Sequence, residues 1–170
     1  MSGKTLLFLR HAKSSWDDPA LEDFHRPLAD RGRKAAPIMA REMKRRGWLP
    51  DMAVISSSVR TRQTWQLVAD ALPMPVPATF DETLYEAPAE RILDTIRKTD
   101  EAVATLLVVG HNPGLEDLSR QLASDDSDDR ALSRLVAKFP AAAMARFRFE
   151  GGWRELQHAR LEDFVKPRDL

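Results

Sequence analysis

Arg10 and His11 end the apolar run of LLFLRHAKSSW, Arg60 and Arg62 sit in SSSVRTRQT, and His111 follows another apolar run in VVGHNPG. A guanidinium offers planar donors matched to phosphate oxygens, and a helix start adds free backbone N–H groups. A neutral imidazole can attack phosphorus and carry the group covalently, while a second imidazole and the guanidiniums stabilise the equatorial oxygens. This is a residue set for phosphoryl transfer. Each member alone has a plainer reading. Arg10 and His11 could be a polar pair at a strand end, Arg60 and Arg62 exposed helix residues, and His111 a brace for the loop before Pro113. The joint occurrence after three apolar runs favours chemistry, with Arg60 and Arg62 equally eligible on this ground.

The elements that must position these residues follow an α/β rhythm. TLLFL, MAVIS (Met52 to Ser56) and ATLLVVG (Ala104 to Gly110) are unbroken apolar runs of strand length, as in parallel strands covered on both faces. Each precedes a helix-like segment. Helices are expected over Asp30 to Arg46, closed by Gly47, over Val59 to Leu72, ended by Pro73, and over Pro88 to Lys98, with Pro88 in the first turn. In the first, Ala35, Ile38, Met39 and Met43 are expected on the buried face. A fourth helix follows Pro113 with GLEDLSRQLA as its body, and SDDSDDR then reads as a solvated, mobile loop. The segments AAAMARFRFE and WRELQHARLEDF alternate around Gly151 and Gly152 and suggest a β-hairpin at the sheet edge. In open α/β sheets the crevice lies outside the carboxyl ends of the strands, where the three segments would converge.

Composition narrows the partners. A chain of 170 residues, 43% hydrophobic, can build one domain with a sizeable core, and one domain is expected. With 26 basic against 26 acidic side chains, no overall field recruits nucleic acid or an anionic membrane, so any positive site must be local. No cysteine is present, which excludes disulfides and thiolate metal sites and fits a cytoplasmic protein. The four His lack the pairing of a zinc motif, the DDSDD run lacks EF-hand spacing, and no metal or cofactor is expected. Neither a signal segment nor a membrane span is read. Trp16, Trp48, Trp65 and Trp153 are expected in or near the core, and His158 is expected to be structural.

The segments LRHAKSSW, SSSVRTRQT and VVGHNPGLEDL resemble, in order and spacing, the signatures of the histidine phosphatase superfamily, and most closely its small SixA-type phosphohistidine phosphatase branch. The resemblance runs through HRPLADRG and ETLYEA and fades in the last forty or so residues. It implies a three-layer α/β/α sandwich with a mostly parallel sheet, the phosphoglycerate-mutase-like fold. It also implies that His11 is the phosphorylated nucleophile and that Arg10, Arg60 and His111 complete the phosphate pocket. Arg60 matches the first Arg of the family's RAxQT element, and Arg62 falls at a variable position. Ser14 and Asn112, beside the matched motifs, are candidate phosphate donors. Arg26 is a candidate substrate contact, the alternative being that His25 and Arg26 tether the first helix. Much of the superfamily has Gly after the motif's His; Ala12 stands here, as in the SixA-like branch.

A general acid is the weakest match. Glu82 and Glu86 lie in the right region, although either could be a solvated loop carboxylate. An alkoxide leaving group benefits from an acid worth ~10²–10⁴ in rate, whereas the imidazole of phosphohistidine needs less help. The expectation is a metal-independent phosphatase for phosphohistidine in proteins. The rivals are a small-molecule phosphomonoesterase or mutase, a non-catalytic phosphate-binding module, and a structural domain.

Overall fold

The structure is a computed structural model that describes residues 3–170. Its frame is one six-stranded sheet in the order β3-β2-β4-β1-β5-β6. The strands are β1 (Lys4–Arg10), β2 (Met52–Ser56), β3 (Ala78–Asp81), β4 (Thr105–Gly110), β5 (Met144–Phe149) and β6 (Arg160–Val165). The strands β3, β2, β4 and β1 run parallel, and β5 and β6 add an antiparallel flank.

Both faces of β1 and β4 are covered, which is why these strands read as unbroken apolar runs. Leu6 and Phe8 point into a core shared with α3 (Ala89–Arg97), α4 (Gly114–Leu122) and α5 (Asp129–Ala137). Leu7 and Leu9 point into a second core, shared with α1 (Asp30–Arg46) and α2 (Val59–Ala71). The chain is therefore the expected three-layer α/β/α sandwich.

Several local expectations are corrected. The buried face of α1 is carried by Ala36, Met39, Ala40 and Met43, with Ala35 and Ile38 only half-buried, so the stripe is turned from the one read off the sequence. Pro88 is the N-cap of α3 and not a first-turn residue. The SDDSDDR run is not wholly loop. Asp128 caps α5 by accepting from Ala131 N–H at 2.9 Å, and buried Ser127 accepts from Leu161 N–H. The β5–β6 connection is longer than a tight hairpin and holds a 3₁₀ turn at Trp153–Glu155, so WREL is not strand. Trp65 and Trp153 are core residues, but Trp48 is half-buried beneath Arg46 and Arg146, and Trp16 is 71% exposed.

One close approach fixes the loop after β1 against α1. A Cβ on Gly32 would stand 2.2 Å from the Lys13 carbonyl oxygen, which itself accepts from Ala29 N–H. Nothing crowds Gly47, which instead needs its positive φ of 73° to close α1. Gly32→Ala is expected to cost about 1–3 kcal/mol by overpacking and to lower activity, because the displaced loop carries His11. Gly47→Ala is expected to cost about 1–2 kcal/mol through its left-handed backbone with activity retained. Urea denaturation and initial rates on the two variants check both halves.

Candidate active site

Parallel register brings the first and third segments together. Arg10 pairs with Gly110 across β1 and β4, and His11 N–H donates to the Gly110 carbonyl at 3.1 Å. The residues that follow are then neighbours, and the His11 and His111 rings lie 5.3 Å apart. The second segment arrives from β2 through the first turn of α2. Arg60 shares a face with buried Thr64 and Val68, and it points towards His11, with Nε 3.4 Å from His11 Nε2. Arg62, two positions on, turns away. Its Nε donates to the Ser57 carbonyl and its guanidinium lies over Phe80.

A cavity of about 700 Å³ opens here, with Arg10, His11, Ser14, Arg26, Arg60 and His111 among its walls. His11 is 7% exposed, and its Nδ1 lies 2.8 Å from the Ala12 carbonyl oxygen. A carbonyl only accepts, so Nδ1 carries the proton and Nε2 presents a lone pair, the role that the approaching Arg60 N–H also requires. Burial is the main cause that lowers the His11 pKa to about 3; the Ala12 contact opposes it, and His111, Arg60 and Arg10 add to it. For His111 burial again leads, with Arg60 and Arg10 acting in the same sense and Asp23 against, and the value falls to about 4. Both rings are neutral through the physiological range.

The cations are individually anchored. Arg10 Nη1 donates to the Phe139 carbonyl at 3.0 Å, and burial lowers its pKa, with Glu116 opposing. Arg26 is buried, donating to Ser14 Oγ at 2.8 Å and to the Ser15 carbonyl. His111 Nε2 meets the buried Ser56 hydroxyl at 2.7 Å. Asn112 reaches the cavity wall, but its side chain is engaged with the Phe139 carbonyl and the Glu116 N–H of α4. Glu82 and Glu86 are exposed and line none of the cavity. Ala12 has an ordinary backbone. Among the described non-glycine residues, positive φ belongs to Glu86 and Ala142.

Sequence reasoning missed Asp23. Its carboxylate accepts from Arg60 Nη2 at 2.9 Å, from Arg26 Nε at 3.1 Å and from the Tyr85 hydroxyl. Burial alone would raise this carboxyl, but the Tyr85, Arg60 and Arg26 donors hold it at about 2. Tyr85 is correspondingly pushed up to about 12, by burial and then by Asp23. Its ring stands edge-on to His111, with centroids 5.5 Å apart, and Phe24 packs on its other side at 4.9 Å. Ser56 was also missed, because a buried strand-end serine carries no sequence signal.

The histidine phosphatase superfamily (branch 1) profile matches residues 6–106. An uncharacterized protein of Mycobacterium tuberculosis is 34% identical, the match covering 94% of this chain and all of that one. Among solved structures, a candidate phosphohistidine phosphatase SixA from Agrobacterium tumefaciens superposes with a TM-score of 0.82 at 30% identity, covering 96% of this chain and 98% of the other. A second candidate SixA, from Nakamurella multipartitia, gives 0.84 at 28% identity and covers 98% of each chain. The chain belongs to the histidine phosphatase superfamily, in its SixA-type branch. Family and fold together support phosphatase activity.

The neutral rings are directly testable. In ¹⁵N-imidazole NMR, His11 is expected as the Nδ1–H tautomer, with neither His11 nor His111 protonating between pH 8 and 5. A titration of either near the ordinary value of about 6.5 would contradict the geometry. Because both folded-state pKa values lie below the unfolded one, the unfolded chain binds more protons as pH falls below about 6.5. Their contribution to stability is therefore complete above that pH and declines towards pH 4 and then 3.

Proposed function

We propose that the chain hydrolyses phosphohistidine in proteins through a covalent phosphohistidine on His11. The observation that carries this reading is the buried, neutral, singly oriented His11 ring, whose unprotonated Nε2 faces the Arg60 guanidinium across a long 3.4 Å contact. A bare imidazole is a competent nucleophile only while unprotonated, and burial among cations keeps it so.

In the first step Nε2 of His11 forms a bond to phosphorus as the P–N bond of the substrate breaks. The substrate imidazole, already protonated on its other ring nitrogen, leaves as the neutral ring with the electron pair of the broken P–N bond, and His11 becomes the phosphorylated, Nδ1-protonated ring. Arg10 and Arg60 hold the equatorial oxygens, whose charge is where such a reaction needs stabilisation. We assign the Ser56 hydroxyl as the donor to His111 Nε2, which puts the ring proton of His111 on Nδ1 for a further oxygen. Arg10 Nε and His111 Nδ1 are buried side-chain nitrogens with no partner among the described residues, and a phosphoryl group would supply the missing acceptors. In the second step water attacks the phosphorus on His11. The new P–O bond replaces the P–N bond, inorganic phosphate leaves with the protons of the water, and the Nε2 lone pair is restored.

The exposed Glu82 and Glu86 and the strongly acidic Asp23 favour phosphohistidine over a phosphate ester. Glu82 and Glu86 stand off the cavity wall and Asp23 is held ionised, so no carboxyl is placed as a proton donor, and an imidazole leaving group depends less on such an acid than an alkoxide does.

Rapid-quench labelling with a ³²P-phosphohistidine protein tests the reading. The native chain is expected to acquire acid-labile label and then release phosphate, and His11→Ala to do neither. Binding of the phosphoprotein without label or release in the native chain would instead make it a recognition module. Arg10→Ala and Arg60→Ala are each expected to lower kcat/KM by about 10²–10³-fold. Glu82→Gln and Glu86→Gln are expected to leave phosphohistidine turnover within about threefold. A loss on the scale of ~10²–10⁴ in either would restore the small-molecule phosphomonoesterase reading.

A further inference from the structure

The phosphoryl pocket occupies one part of a larger positive mouth. Lys13, Arg31, Lys138, Lys166 and Arg168 line the same cavity, and no Asp or Glu does. These five come from the loop after β1, the start of α1, the segment after α5 and the chain's last turn, so four separate elements deliver one sign of charge. The formal charge of the whole chain is zero, which makes the concentration at this mouth a local feature. None of the five rim cations forms an ion pair among the described residues, so no neighbouring carboxylate cancels their charge at the mouth.

Trp16 stands on the same mouth, 71% exposed. It is held by the Arg26 guanidinium, whose central carbon lies 3.5 Å from the ring centroid. Arg26 is itself fixed by Ser14, Ser15 and Asp23. A large exposed aromatic ring stacked on a fixed guanidinium is the kind of anchor that dominates protein–protein contacts. A single phosphoryl group has no use for a second set of cations at the rim, and a wide mouth admits a surface better than a small metabolite.

We propose that this rim docks an acidic protein surface, the carboxylates that flank the phosphohistidine engaging the five cations while Trp16 packs against an apolar side chain beside them. The inference rests on the phosphohistidine reading of the same site and specifies the kind of protein that carries the substrate. Complementary charge of this sort raises encounter rates and selects partners, and it weakens as salt screens it.

The test uses two phosphohistidine peptides of equal length, one flanked by Asp and Glu and the other by Ser and Gln. Turnover of both is measured with the native chain, and binding of both with His11→Ala, by fluorescence anisotropy. The acidic peptide is expected to bind about tenfold or more tightly at about 0.05 M salt, the preference shrinking at about 0.5 M. Lys138→Glu with Arg168→Glu should abolish that preference, and Trp16→Ala should weaken both peptides. The double variant is expected to keep the native circular-dichroism spectrum and melting midpoint, so that a lost preference reports charge and not unfolding. Equal affinity for the two peptides, or a preference that survives charge reversal, overturns the rim proposal even where turnover is normal. Absence of turnover with the charge preference intact overturns the phosphatase reading and leaves the rim standing. Competition by a nucleoside diphosphate together with indifference to flanking charge would assign the rim to small polyanions and overturn it as well.

Discussion

The parallel pairing of β1 with β4 is the constraint on which the site depends. Once Arg10 faces Gly110 in that register, His11 and His111 must leave the sheet side by side, because each is the first residue past the carboxyl end of its strand. The 5.3 Å separation of the rings is thus a property of the sheet's hydrogen bonding. Burial on both faces makes that register hard to shift. A slip of one residue would send Leu6 and Phe8 into the wrong layer. The apolar core and the chemical site are therefore set by the same interaction, and the strand ends are rigid enough for a nucleophile that must meet phosphorus in line.

Charge is arranged around this rigid pair so that a cationic cavity does not protonate its own nucleophile. Desolvation and the neighbouring guanidiniums act in the same direction on His11, both disfavouring an imidazolium. The guanidiniums remain charged because their basicity is so high that burial cannot discharge them. The outcome is a neutral nucleophile inside a positive field, which is the combination that phosphoryl transfer uses. The contact of Nδ1 with the Ala12 carbonyl completes it by fixing the tautomer.

How much of this was legible in the sequence depended on whether a residue's role was repeated by its neighbours. TLLFL, MAVIS and TLLVVG announce strands because every position but the half-buried Met52 and Thr105 is buried, and α1 matches its expected bounds because Gly47 marks its end. The strand β3 gave no such signal, being short, at the sheet edge and with its middle residues exposed. The helix α5 was hidden because its cap, Asp128, looks like one more member of an acidic loop. Among site residues, motif matching singled out Arg60 over Arg62. The helix offers a physical reason for the same choice, since Arg60, Thr64 and Val68 form one face and Arg62 lies on another. Asp23 was illegible because an exposed loop carboxylate has no periodic partner, and its role exists only where Arg26, Arg60 and Tyr85 meet.

That meeting of Asp23 with two site guanidiniums bears on how the pocket stays formed. Arg26 and Arg60 are long side chains with much rotamer freedom, and cations so close together repel one another. Asp23 offsets both costs, since one carboxylate orients two guanidiniums and reduces the net charge beside the cavity. Asp23 is fixed in turn by Tyr85, whose ring is wedged between Phe24 and His111. The pocket's charged groups are thus braced by a second set of contacts, through the 3₁₀ turn at Asp23–His25 and the loop that carries Tyr85. The sheet sets where the imidazoles stand, and this second brace sets where the guanidiniums point. Catalytic geometry of this kind needs both, because a neutral nucleophile fixed in place transfers nothing unless the charge that develops on the phosphoryl oxygens is met by donors already aimed at it.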